Sequence, residues 1–185
     1  MVETNVHVRV NTLALRGPEL AEKQPNEIRL MTLGDSSVFG FGVEEADVFG
    51  AVAASYLSSE WARPVVPVNG GTPGYTSVQA LHTLQDVGRS VQPDIVVIAT
   101  LWSDLFQTET PLERAGGQRH PSALYRVSVR VLAPYLPAPT VGWTEGDVGA
   151  EAIGRSARVG LERYRRTVEE LVQAARSLGA PPVIL

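Results

Sequence analysis

Four apolar runs punctuate the sequence: Ile28–Leu33, Val65–Val68, Asp94–Thr100 and Pro182–Leu185. Each is short and mostly continuous, without the polar alternation of a strand that faces water on one side. Such runs read as strands buried on both faces of a sheet. Between them the period changes to that of a helix. In Ala46–Ser58 the residues Val48, Phe49, Val52, Ala53, Tyr56 and Leu57 recur on one face. Thr76–Arg89 opens on Thr76-x-x-Gln79, a capping box, and turns Val78, Leu81, Leu84 and Val87 inward. Val159–Leu178 carries Tyr164, Val168, Leu171, Ala175 and Leu178 on one stripe, with Gly179 as its C-cap and Pro181-Pro182 as a stop. Strands alternating with helices predict an α/β fold: a three-layer α/β/α sandwich around a mostly parallel sheet. Residues 107–156 break this rhythm with Gly116-Gly117, several prolines and Gly142-Trp143. One short helix is predicted near Ser122–Leu132. The segment reads as an insertion, or lid, over the rim of the sheet.

Bulk properties narrow the picture. The 185 residues make one domain with 44% hydrophobic and 19% charged residues, so the protein is globular. A net charge of −4 gives no electrostatic reason to expect nucleic acid. No cysteine is present, which removes disulfides and thiolate metal sites. No run reaches the length of a membrane span. The opening Met1-Val2-Glu3-Thr4-Asn5 lacks a signal-peptide pattern. As written the sequence reads as cytoplasmic, or as periplasmic or secreted if a leader precedes it.

Three strand ends carry polar residues suited to a site: Gly34-Asp35-Ser36, Asn69-Gly70-Gly71-Thr72-Pro73-Gly74-Tyr75, and Leu101-Trp102-Ser103-Asp104. The carboxyl ends of parallel strands share one edge, where open α/β sheets bind ligands. A serine nucleophile there needs a base and donors for the oxyanion of its tetrahedral intermediate. The Ser36 and Gly71 amides are candidate donors, since glycine at 71 permits close approach of backbone to substrate. An Asn or Ser side chain from a neighbouring strand end adds a further one.

The order of these blocks resembles that of the SGNH hydrolases, or GDSL-type esterases. Ser36 matches that family's nucleophile block and Gly71 its glycine block. The third block is usually Gly-x-Asn-Asp; here the glycine is Leu101 and the oxyanion asparagine is Ser103. Residues Asn11 to Leu20 look like the lead-in of a bacterial branch of the family. Arg158–Ala180 followed by Val183–Leu185 looks like the helix and strand before its last block. The resemblance implies hydrolysis of a carboxylic ester, on an acylated sugar, lipid or small alcohol. It implies Ser36 as nucleophile, with the Ser36 and Gly71 amides and Ser103 around the oxyanion, and no metal or organic cofactor. The family's Asp-x-x-His block has no counterpart here. None of His7, His82 and His120 follows an aspartate at that spacing. The block is expected beyond Leu185, which makes the sequence incomplete at its carboxyl end and, as given, inactive.

Blander readings stand beside these. Gly-Asp-Ser is a common turn, and Asn69-Gly70-Gly71 also suits a strand-to-helix turn. Asp35 and Asp104 read as holders of loop amides rather than as a metal pair. Trp102 suits an acyl pocket or a buried packing position. Gly40-Phe41-Gly42 lacks the spacing of a dinucleotide fingerprint. Arg163–Arg166 is a solvated helix face. An alternative function from another class is a non-catalytic module that keeps the cleft to hold an acyl or carbohydrate ligand.

Overall fold

The computed structural model describes residues 6–105 and 158–185. The expected insertion, its short helix and His120 lie outside them. Four strands are described: β1 (Ile28–Gly34), β2 (Val65–Gly71), β3 (Ile95–Ala99) and β4 (Pro182–Ile184). They form one sheet in the order β2-β1-β3-β4, with every pairing parallel. The helices are α1 (Ser36–Phe39), α2 (Phe49–Trp61), α3 (Ser77–Val91), α4 (Trp102–Leu105) and α5 (Leu161–Ser177). A 3-10 turn, Glu45–Asp47, precedes α2, so the start predicted at Ala46 falls at Phe49. Among the described residues no helix is long and apolar enough to cross a membrane.

Alternate residues of the strands serve the two faces. Leu30, Val65 and Val97 pack with Ala54 of α2, and Ile28, Ala53, Leu57 and Ile95 extend that layer. Gly50 lets α2 lie close to the sheet, because a Cβ there would stand 3.0 Å from Thr32 Cγ2. The opposite face carries Met31, Leu33, Val68, Val96 and Ile98 under Leu81 and Leu84 of α3 and Leu171 and Ala175 of α5. On α5 the buried residues Thr167, Leu171 and Ala175 are spaced i, i+4, i+8, a single stripe. A large apolar side chain sealed in this layer contributes about 1.5–3 kcal/mol. The three-layer α/β arrangement is therefore present. Thr76 and Gln79 form the predicted capping box, with Gln79 Oε1 accepting from the Thr76 amide at 2.8 Å. Gly179 follows α5 with a φ of 77°, as its cap position requires.

The topology places the site. From β1 the backbone passes through α2 to β2 at the sheet edge. It then returns across the other face through α3, stepping over β1 to reach β3. The direction of winding reverses between the adjacent strands β1 and β3, and ligands bind at such switch points, outside the carboxyl ends.

An N-terminal arm lies outside this scheme. Val10 and Arg16 bridge antiparallel in a tight hairpin, and Arg16 bridges antiparallel to Asn69 of edge strand β2. Asn11 holds the hairpin, its Oδ1 accepting from the Leu13 and Leu15 amides at 3.0 Å each.

Candidate active site

The carboxyl ends of three strands converge on Gly34, which pairs with Gly71 on one side and Ala99 on the other. No side chain fits at Gly34, since a Cβ would lie 2.2 Å from the Ala99 carbonyl oxygen and 2.4 Å from Val38 Cγ2. This close approach seats α1 directly on the end of β1. Ser36 is the first residue of α1 and is half-buried. Its carbonyl accepts from the Gly40 and Phe41 amides, each at 3.1 Å. Among the described residues no group hydrogen-bonds the Ser36 hydroxyl. His7 and His82 are both exposed, and His82 lies on α3.

Asp35 is 1% exposed and caps α1. One carboxylate oxygen accepts from the Ser37 amide at 2.9 Å and the Ser37 hydroxyl at 2.8 Å. The other accepts from the Ser103 amide at 3.0 Å, which ties the loop after β1 to the loop after β3. Burial pushes this carboxyl up, but the amides and hydroxyls of Ser37 and Ser103 outweigh it and hold the group below the ordinary aspartate value.

Asp104 makes the second tie. It is 1% exposed, and its two carboxylate oxygens accept from the Ser77 amide at 3.0 and 2.9 Å. The Ser77 hydroxyl donates to it at 2.6 Å. The carboxylate thus caps the start of the 15-residue α3, where a negative charge suits the helix dipole. Burial nevertheless pushes Asp104 above the ordinary range, against the hydrogen bonds of Ser77 and the charge of Arg158. Both aspartates hold amides in the first turns of helices, where loop amides were expected. Among the described residues no group of three or more His, Cys, Asp or Glu is arranged to hold a metal ion.

Gly71 stands elsewhere than expected. The strand predicted to end at Val68 runs on through Asn69 and Gly70 to Gly71, all paired with β1. Gly71 is buried against α1, where a Cβ would lie 2.4 Å from the Phe39 nitrogen. Its amide donates to Asn69 Oδ1 at 2.9 Å. Asn69 is a support as well, with Nδ2 donating to the Val38 and Phe39 carbonyls at 3.1 and 3.2 Å.

The glycine at the rim is Gly74. Thr72-Pro73-Gly74-Tyr75 is a turn closed by the Tyr75 amide on the Thr72 carbonyl at 3.0 Å. Gly74 has a φ of 77° and open space where a Cβ would be. Proline at the second position and a positive-φ glycine at the third mark a type II turn. The Gly74 amide takes no part in closing it, and the Gly74 carbonyl accepts from Arg158 at 2.7 Å. Pro73-Gly74 is the signal in the sequence, overshadowed by the glycine pair at 70 and 71.

Ser103, in α4, is half-buried, and its amide donates to Asp35. Trp102 at the head of α4 is 64% exposed, not the buried packing aromatic of one reading. Leu101 holds a φ of 134°, a region that side chains disfavour.

No protein-family model and no curated protein matches the sequence. Solved structures do. AlinE4, an SGNH-hydrolase family esterase, is 18% identical over 87% of this chain and 77% of its own, with a TM-score of 0.44. A G-D-S-L family protein from Desulfitobacterium hafniense DCB-2 is 16% identical with a TM-score of 0.46; the match covers 84% of this chain but only 57% of that one. TesA is 21% identical over 81% of this chain and 99% of its own, with a TM-score of 0.39. These are similarities of fold.

Proposed function

We propose that these residues form the nucleophile end of a serine esterase of SGNH type. Ser36 attacks the carbonyl carbon of a small-molecule ester, and the alcohol leaves as an acyl-enzyme forms; water then releases the acid. The Ser36 amide is one oxyanion donor. The second is the Gly74 amide rather than that of Gly71, because the Gly71 amide is spent on Asn69 while Gly74 sits on an open turn. Ser103 contributes weakly, since a serine hydroxyl is shorter than the asparagine amide it replaces and reaches less far into the cleft. The base is a histidine that the described residues do not supply at Ser36.

The observation that carries this reading is the placement of Ser36. It stands at the first position of a helix, at the switch point between β1 and β3, on a backbone fixed by its own short helix and by Asp35. A Gly-Asp-Ser turn elsewhere on a sheet would carry no such implication.

The test uses the full natural protein with short-chain nitrophenyl esters and a fluorophosphonate probe. Hydrolysis and labelling should both vanish in Ser36→Ala. Losing one good oxyanion donor costs roughly 100- to 1000-fold in kcat. Ser103→Ala should cost clearly less, and Ser103→Asn should raise turnover. Hydrolysis that survives Ser36→Ala would sink the reading. The other reading, a binding module that keeps the cleft for an acyl or carbohydrate ligand, is favoured by the serine at 103 in place of an asparagine. It predicts ligand binding without labelling of Ser36.

A further inference from the structure

Two buried arginines fasten the N-terminal arm to the domain, and they sit at opposite ends of β1. Arg29, 2% exposed near the strand's start, pairs with Glu27 at 2.6 Å and donates to the Val91 and Ala21 carbonyls at 2.8 and 2.6 Å. Arg16 is different. It is 5% exposed, and among the described residues no carboxylate pairs with it. Its guanidinium donates only to main-chain carbonyls: Phe39 at 2.7 Å, Gly40 at 2.6 Å and Val43 at 2.6 Å. It also lies over the Phe39 ring, 4.9 Å from the centroid, while its Nε is buried without a partner. Burying a cation without a counter-charge is costly. What it secures is narrow: the last carbonyls of α1 and the loop that leaves it. These are the carbonyls that a helix end cannot satisfy by itself. Asn69 shares the Phe39 carbonyl from the β2 side.

We propose that Arg16 is a positioning residue for the nucleophile, acting through the exit of α1 to fix Ser36 at the rim. The inference rests on the esterase reading for its catalytic consequence, not for its structural one. The linkage is short. Ser36 is held by the Gly40 and Phe41 amides, and Arg16 grips the carbonyls of Phe39 and Gly40 in the same turn. Releasing that grip lets Ser36 shift, and misplacement of a reacting group by about 1 Å costs up to about 100-fold in rate. A lysine cannot replace the planar fork that spans three carbonyls.

The experiment compares Arg16→Lys with Arg29→Lys in the full natural protein. Arg29→Lys loosens the arm at the far end of β1, so it controls for a loss of stability alone. Hydrogen exchange is the first readout and needs no turnover. In Arg16→Lys the Gly40 and Phe41 amides should exchange at least about tenfold faster, with the β3 amides unchanged; in Arg29→Lys they should not. Ester kinetics are the second readout. Arg16→Lys should lower kcat by about tenfold or more at a KM within about twofold, and Arg29→Lys should leave both within about twofold. Should Arg16→Lys fail to fold, Asn11→Ala relaxes the hairpin that presents Arg16. It should accelerate exchange of the same two amides and lower kcat by about threefold. Unchanged exchange at Gly40 and Phe41, or equal effects from both arginine variants, would overturn the proposal. A wild-type protein without Ser36-dependent hydrolysis would overturn the esterase reading instead, and the exchange result would still decide the role of Arg16.

Discussion

Leu101 stands where the resembled family places a glycine, and its φ of 134° shows what that glycine is for. The backbone leaves β3 and must turn at once into α4, whose last two amides return to the Leu101 carbonyl: Asp104 and Leu105 both donate to it at 3.0 Å. A side chain in such a conformation costs on the order of 1–3 kcal/mol. Strain of this kind persists where the surroundings enforce it, and the ties of Asp35 to Ser103 and of Asp104 to Ser77 do so here. The side chain itself is 45% exposed, so little burial is lost on removing it. Leu101→Gly should therefore stabilise the fold by about 1 kcal/mol after the greater backbone entropy of glycine is counted. Thermal unfolding measures this directly, and a lower midpoint than wild type would show that the leucine makes contacts outweighing its strain. At the same scale the sequence is legible for Asp35 and Asp104, whose residue types announce the amides they hold. It is less so for glycine, which has no side chain to read. Gly71 and Gly74 are told apart only by what surrounds them: the α1 backbone against one, open space beside the other.

Elements held by apolar periodicity are legible in kind from their patterns, and those held by hydrogen bonds are not. The runs Ile28–Leu33, Val65–Val68 and Asp94–Thr100 each hold a strand, but β2 outlasts its apolar run because pairing with β1 carries it through Asn69-Gly70-Gly71. Four-residue helices such as α1 and α4 are too short to show a period at all. Their stability comes from capping, and α1 depends on the Asp35 carboxylate. That dependence has a pH signature. The folded state holds the Asp35 carboxyl below its ordinary value, near 3.9 in unfolded proteins, so the unfolded state binds more protons at mild acidity. The stability this group gives is present above the unfolded value and is lost as pH falls through the folded one. Asp104 has the opposite sign: its raised value means that protonation just above the ordinary aspartate range favours the folded state. Asp35→Asn isolates the first effect. The variant should lose about 1–3 kcal/mol at neutral pH, since its amide nitrogen faces the Ser103 N–H. The gap to wild type should shrink steadily below about pH 4. Denaturant unfolding across that range checks it, and a gap independent of pH would mean that Asp35 is not charged in the fold.

On the scale of the whole molecule β2 stands at one edge among the described strands, and a parallel sheet edge left open invites pairing with another molecule. The arm answers that edge, with Arg16 bridging to Asn69 and a cavity of about 180 Å³ between arm and strand, lined in part by Leu15, Leu20, Val66 and Val68. Nothing in the apolar pattern of residues 6–24 foretells this, because the arm is tied down by single side chains rather than by a face. Asn11 folds the hairpin, and Glu19 accepts from the Thr12 amide at 3.0 Å and its hydroxyl at 2.7 Å. Arg16 and Arg29 then fasten it at the two ends of β1. The arm thus joins stability, solubility of the edge and the geometry behind Ser36 in one segment. Deleting residues 1–24 removes the buried Leu15 and all the hydrogen bonds of Arg16, a loss of roughly 3 kcal/mol or more. It also bares the outer backbone of β2. The deleted protein should melt well below the intact one, and its sedimentation coefficient should rise with concentration over a range where that of the intact protein is constant. A deletion variant with the melting point and the sedimentation behaviour of the intact protein would show that the arm merely lies on the sheet and that the edge is protected by other means.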